Sequence, residues 1–148
     1  MKSSSNDLKK HLIKENDTIW SILVRMKYGN VCVMCGDGKP KPVSAHHIFG
    51  RSHKATRWIT ANGIPLCYYH HRFCIHGGRC EPEDVVKFYK RVIGEETYEW
   101  LKQESQKHVK FNLAFVMDWN HKLRGEFLGF TGMSYEEYKN ERRHKHND

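Results

Sequence analysis

Two short ligand pairs constrain this chain more than any other feature: Cys32-Val33-Met34-Cys35 and Cys67-Tyr68-Tyr69-His70. Two residues between ligands is the spacing at which one tight turn offers both to a single ion. Three thiolates and one imidazole make a Cys3His set suited to tetrahedral Zn2+ in a closed structural site. Gly36 and Gly38 follow the first pair, as expected of a knuckle that folds back tightly. A segment with few large apolar residues gains most from such a staple. Cys74 and Cys80 are left over and could substitute in the set. The competing reading makes the cysteines small buried residues without metal; two pairs at like spacing favour zinc.

The rest of the chain reads mostly as helix. Residues 1–16 are polar and charged, a frayed tail or a mobile first helix. Asp17 or Thr18 caps a helix to Tyr28, with Ile19, Trp20, Ile22, Leu23 and Met26 near helical spacing and Gly29 as its stop. Residues 31–80 change character, toward short strands and turns, with Pro40 and Pro42 in a loop. Pro82 opens the next helix, where its missing N–H costs nothing. Val85, Val86, Phe88, Tyr89, Val92 and Ile93 form that helix's apolar face, and Gly94 ends it. A second helix is expected over about 95–107, with Tyr98, Trp100 and Leu101 inward. A third should cover about 111–123 or beyond, before Gly125 and Gly129. Ser134 to Glu137 is a capping box for a short last helix. The chain then runs into Arg142-Arg143-His144-Lys145-His146, either a solvated terminus or an arm for phosphates.

The sequence carries 25 Lys and Arg against 17 Asp and Glu, a net charge of +8. Such an excess suits a polyanion, because Lys and Arg displace the counterions condensed on phosphates. No stretch approaches the ~18 apolar residues of a membrane span, and the N-terminus lacks a signal peptide's apolar core. A cytoplasmic protein is expected. In a reducing compartment, five cysteines are better explained by metal or free thiols than by disulfides.

His46 and His47 sit in Val43-Ser44-Ala45-His46-His47-Ile48-Phe49-Gly50, a strand entering a turn. Neighbours on a regular strand point to opposite faces, so joint action of the two would need a bend. Asn62-Gly63 is a turn signal. Residues 66–73 contain neither Gly nor Pro and can start a helix. Asn62 follows His47 by fifteen residues and His71 follows Asn62 by nine.

This order of CxxC, adjacent histidines, Asn-Gly and then CxxH-His resembles the HNH endonucleases of the zinc-knuckle type. The resemblance covers about residues 30–78. It implies a ββα-metal site, a β-hairpin and a helix clamping one divalent ion. His47 resembles the general base that takes a proton from water, a task an imidazole suits. Asn62 resembles the asparagine that holds the loop and orients the base. His46 and His71 resemble the metal ligands. A third histidine often follows the second by four residues, but that position here is Ile75, and His76 lies one further on. The ion, Mg2+, Mn2+, Ni2+ or Zn2+, would be separate from the structural Zn2+ held by Cys32, Cys35, Cys67 and His70. Residues 89–96 are similar to the region after the site in phage recombination endonucleases of the NinG/Rap type.

The expected fold is α+β: a zinc-stapled ββα-metal module over residues 30–80, an N-terminal helix within 1–29 and a helical extension over 81–148. The expected activity is metal-dependent hydrolysis of DNA phosphodiester bonds, with Arg51 and Arg72 gripping phosphates beside the cut. The alternatives are a non-catalytic zinc-dependent DNA-binding module and a branched-DNA recombination endonuclease. The expected partner is DNA, with phage or recombination machinery beside it, and no membrane.

Overall fold

The structure, a computed structural model, describes residues 4–145. It is α+β: an N-terminal helix, a β-hairpin, then helices. The chain divides into two compact units, Met1–Trp20 with Lys110–Asp148, and Ser21–Val109.

The long helix α1 (Ser5–Lys27) contributes to both units. It starts well before the expected cap at Asp17 or Thr18. Ser4 and Asp7 form the cap instead, with Asp7 N–H donating to Ser4 Oγ (3.2 Å) and Ser4 Oγ donating to Asp7 (2.8 Å). The polar residues of this stretch also have distant partners. Asn16, fully buried, donates to the Val116 carbonyl (3.1 Å) and accepts from Asn120 (2.8 Å). Glu15 pairs with Arg124 and Lys139. Burial would raise the Glu15 pKa, but bonds from Asn120 and Arg124 hold it below the usual carboxylate range.

Two further helices complete this first unit: α4 (Leu113–Thr131) and α5 (Tyr135–Lys145). Helix α4 runs through Gly125 and Gly129, which were expected to end it. A mid-helix glycine costs only about 1 kcal/mol, and burial of Leu123 and Phe127, both fully enclosed, outweighs that at about 1.5–3 kcal/mol per side chain. The capping box before α5 forms as read, with Glu137 N–H donating to Ser134 Oγ and Ser134 N–H to Glu137. Arg142 to Lys145 lie in the last turn of α5, and His146 falls outside the described residues.

The second unit is built on an antiparallel hairpin of β1 (Val43–His47) and β2 (Gly63–Cys67). Its register pairs Val43 with Cys67, His46 with Ile64 and His47 with Gly63. Ile64 and Leu66 are fully buried and form a core with Cys32, Tyr89 and Tyr98. Helix α2 (Pro82–Ile93) lays Val85, Val86, Phe88, Val92 and Ile93 on that core. Helix α3 (Glu95–Ser105) buries Tyr98, Leu101 and Ser105. Trp100, expected inward, is exposed. At 100° per residue it stands roughly 200° around the helix from Tyr98.

Cys74 and Cys80 are joined in a disulfide, contrary to the expectation of metal or free thiols throughout. The intervening loop brings them together through two backbone bonds, Arg79 N–H to Phe73 C=O (3.1 Å) and Cys80 N–H to Cys74 C=O (3.3 Å). A Cβ at Gly77 would lie 2.6 Å from the Phe73 carbonyl oxygen, so only glycine lets the chain fold back this closely. No described helix is long and apolar enough to cross a membrane.

Candidate metal centres of the hairpin

Cys32, Cys35, Cys67 and His70 converge on one point beside the hairpin. The first pair is carried on a loop anchored to β2 by Val33 N–H donating to the Pro65 carbonyl (3.2 Å). Cys67 ends β2, and His70 stands on the helical turn that follows. The His70 Nδ1 lies 3.5, 3.5 and 3.3 Å from the sulfurs of Cys32, Cys35 and Cys67, and the Cys35 and Cys67 sulfurs are 3.8 Å apart. With Zn–S of about 2.3 Å and Zn–N of about 2.0 Å, a regular tetrahedron has S···S edges of about 3.8 Å and S···N edges of about 3.5 Å. These four separations are consistent with a structural zinc site.

The electrostatics favour a thiolate at Cys32. Burial pushes the Cys32 thiol up, but hydrogen bonds with the backbones of Cys67, Cys35 and Met34 outweigh it, and its pKa falls. Cys35 is raised, first by burial and then by the neighbouring thiols, although Lys41 Nζ at 3.2 Å opposes this. Crowded thiols resist a second ionisation until a cation joins them, and a coordinating thiol is deprotonated outright. Burial, then the Lys41 charge, lowers the His70 pKa, which favours the neutral ligand form.

A second group forms from His46, His71 and His76, with one nitrogen of each within 4.8 Å of the others. The ring centroids are 5.1 Å apart for His46–His71, 5.4 Å for His46–His76 and 4.9 Å for His71–His76. His46 is nearly enclosed, at 5% exposure. Its pKa is lowered to about 3 by burial and by the charges of His71, His76 and His47, so its imidazole is neutral near pH 7. Burial, then His76 and Arg72, also lowers His71. Two of the rings are steered from outside the trio. His46 Nε2 is 2.8 Å from the Tyr89 hydroxyl of α2, and His71 Nδ1 is 2.8 Å from the Ser44 hydroxyl of β1. Such contacts to the second ring nitrogen orient metal-binding histidines. They leave His46 Nδ1 and His71 Nε2 for an ion.

His76 joins the trio through a π-helical turn at His70–Ile75. In an α-helix, positions five apart diverge by roughly 140°. Here His76 N–H donates to the His71 carbonyl (3.2 Å), five residues back. This i→i+5 bonding widens the turn and brings position 76 over position 71.

His47 stands apart from the trio. The strand stays regular through its pairing with Gly63, and the two adjacent histidines diverge. His47 Nε2 lies 2.9 Å from the Arg57 carbonyl oxygen. A carbonyl can only accept, so Nε2 carries the proton and Nδ1 the lone pair. The loop bearing Arg57 is fastened by Asn62, which is fully buried. Its Oδ1 accepts from Phe49 N–H (2.8 Å), and its Nδ2 donates to the carbonyls of Phe49 (2.9 Å) and Thr56 (3.0 Å).

An open cleft of about 560 Å3 adjoins the trio, lined by Pro42, Val43, Ser44, Tyr68, His71, Arg72 and His76. Arg72 is exposed along this cleft, whereas exposed Arg51 lies in the turn after β1 and is not among the lining residues. Ser44 and Tyr89 are the residues that sequence reasoning missed. Ser44 precedes His46 by two on a strand and so shares its face. Tyr89 looked like one more member of an apolar helical stripe. Comparison with known protein families, with characterised proteins and with solved structures finds no match.

Proposed function

We propose that this protein is a metal-dependent endonuclease of the HNH kind, hydrolysing DNA phosphodiester bonds. The observation that carries the reading is the arrangement around β1. His46 faces two imidazoles of the following helical turn, while its neighbour His47 is held in one tautomer by the Arg57 carbonyl. A hairpin and a helical turn thus supply three imidazoles and, one residue away, a base with a defined lone pair. The zinc-stapled ββα-metal description of the module belongs to this proposal. So do the DNA partner and the division between a structural Zn2+ and a working ion.

In this reading His47 Nδ1 takes a proton from the attacking water, and the Arg57 carbonyl stabilises the imidazolium that results. Asn62 keeps that carbonyl in place by pinning the loop at Phe49 and Thr56. Arg72 grips a phosphate beside the cut, and Arg51 contacts backbone further along. A divalent ion at the trio would polarise the scissile phosphate and offset charge on the leaving oxygen. A set made only of imidazoles suits Ni2+ or Zn2+ better than Mg2+, with Mn2+ between.

The test uses supercoiled plasmid incubated with zinc-loaded protein and added Ni2+, Mn2+ or Mg2+. Nicked or linear product should appear with the first two ions, and His47→Ala should slow it by at least about 100-fold. Binding without cleavage under every ion would sink the reading and leave a zinc-dependent DNA-binding module.

A further inference from the structure

The turn that carries His71 and His76 also exposes three aromatic rings. Tyr68 is 72% exposed, Tyr69 51% and Phe73 36%. Phe73 lies between the two tyrosines, with ring centroids 5.8 Å from Tyr68 and 5.9 Å from Tyr69. The Arg79 guanidinium sits 4.9 Å from the Phe73 centroid. The rings therefore brace one another while Tyr68 remains open to solvent. Tyr68 also lines the cleft beside His71 and His76, together with Pro42 and Val43.

This lining is unusual for a surface that reads phosphates alone. It combines Pro42, Val43 and Tyr68 with Ser44, Arg72 and two imidazoles, and no lining residue is acidic. Apolar and aromatic residues beside the Arg72 guanidinium match a nucleotide, whose base has a flat π-face and whose phosphate is an anion. A cleft of about 560 Å3 falls in the range of roughly 300–1,000 Å3 that holds a small ligand. A paired base stays inside its stack and offers no face, whereas an unpaired one can enter such a cleft.

We propose that Tyr68, braced by Phe73, is a stacking platform for an unpaired base of the DNA strand, with the adjoining phosphate directed to Arg72 and the histidine trio. The inference rests on the nuclease reading and deepens it: the substrate is single-stranded or splayed DNA beside the cut. Stacking on an aromatic side chain is tolerant of base identity, so the platform selects unpaired structure and not sequence.

The experiment measures binding without cleavage. Protein carrying one equivalent of zinc, with no other divalent ion, is titrated into a fluorescein-labelled thymidine 12-mer and a blunt duplex of the same length, read by anisotropy. The single strand should bind roughly tenfold tighter than the duplex. Tyr68→Ala should weaken single-strand binding by roughly tenfold or more, leave duplex binding unchanged, and keep its zinc and circular dichroism. Tyr68→Phe should restore the affinity. Equal binding of single strand and duplex would overturn the proposal, as would a Tyr68→Ala curve that overlays wild type, or a Tyr68→Phe variant as weak as alanine. Because no cleavage is involved, loss of this result and loss of the nuclease reading are separate outcomes.

Discussion

Replacing Asn62 with alanine removes three hydrogen bonds at a site with no solvent access. The Phe49 N–H and the carbonyls of Phe49 and Thr56 lose their partner. A buried polar group left unsatisfied costs about 1–3 kcal/mol, and water entering the small void recovers part of it. A loss of about 3–5 kcal/mol is expected, a large share of the roughly 5–15 kcal/mol that holds a domain together. With a urea m-value of about 2 kcal/mol/M, the unfolding midpoint of zinc-loaded protein should fall by about 2 M. Asn62→Asp sharpens the test. Aspartate fits the space and still accepts from Phe49 N–H, but it turns a second oxygen toward two carbonyls. It should destabilise at least as much as alanine. A midpoint within about 0.5 M of wild type for Asn62→Asp would refute the role given to this side chain. Cleavage should fall further than the unfolded fraction explains, because Arg57, whose carbonyl orients His47, follows Thr56 directly.

Other perturbations probe the two metal groups. Cys32→Ser should release zinc and cost the second unit its thermal transition, checked by metal analysis and calorimetry; a variant that keeps both would show that the knuckle is not a zinc site. For pH, His46 is depressed to about 3 in the folded state against 6.5 unfolded. The unfolded chain then binds the extra proton between those values, so stability is full above pH 6.5 and drains as pH falls toward 3. On the order of 2 kcal/mol should be lost from pH 7.5 to 5, and the loss should shrink in His46→Leu; urea midpoints at both pH values measure it. Tyr89→Phe frees His46 Nε2 and should weaken the second ion by roughly 10-fold or more with zinc unchanged, read by calorimetric Ni2+ titration; equal affinity would make Tyr89 a packing residue only.

Local chemistry was legible in the sequence wherever it acts alone. Pro82 and Gly94 bound α2, and Ser134 with Glu137 caps α5, because each device works within one turn. The ligand pairs were legible for the same reason. What escaped depends on distant partners. Helix α1 begins at Ser5 with side chains such as Asn16 held by Val116, 100 residues away. Helix α4 continues through two glycines because its other face is buried. The place of His76 was open because Ile75 holds the α-helical position, and only the π-helical turn reconciles the spacing. The Cys74–Cys80 pairing was missed because compartment, and not the fold of the Gly77-Gly78 loop, decided the expectation.

In the proposed mechanism the histidine trio holds a working ion distinct from the zinc of the knuckle. The most direct measurement is the single-turnover rate of DNA cleavage by zinc-loaded protein as Mn2+ is raised, wild type against His76→Ala. The rate should depend saturably on Mn2+, with a midpoint at least about tenfold higher in the variant and the bound zinc unaltered. Cleavage that ignores added Mn2+, or two curves that coincide, would contradict that mechanism.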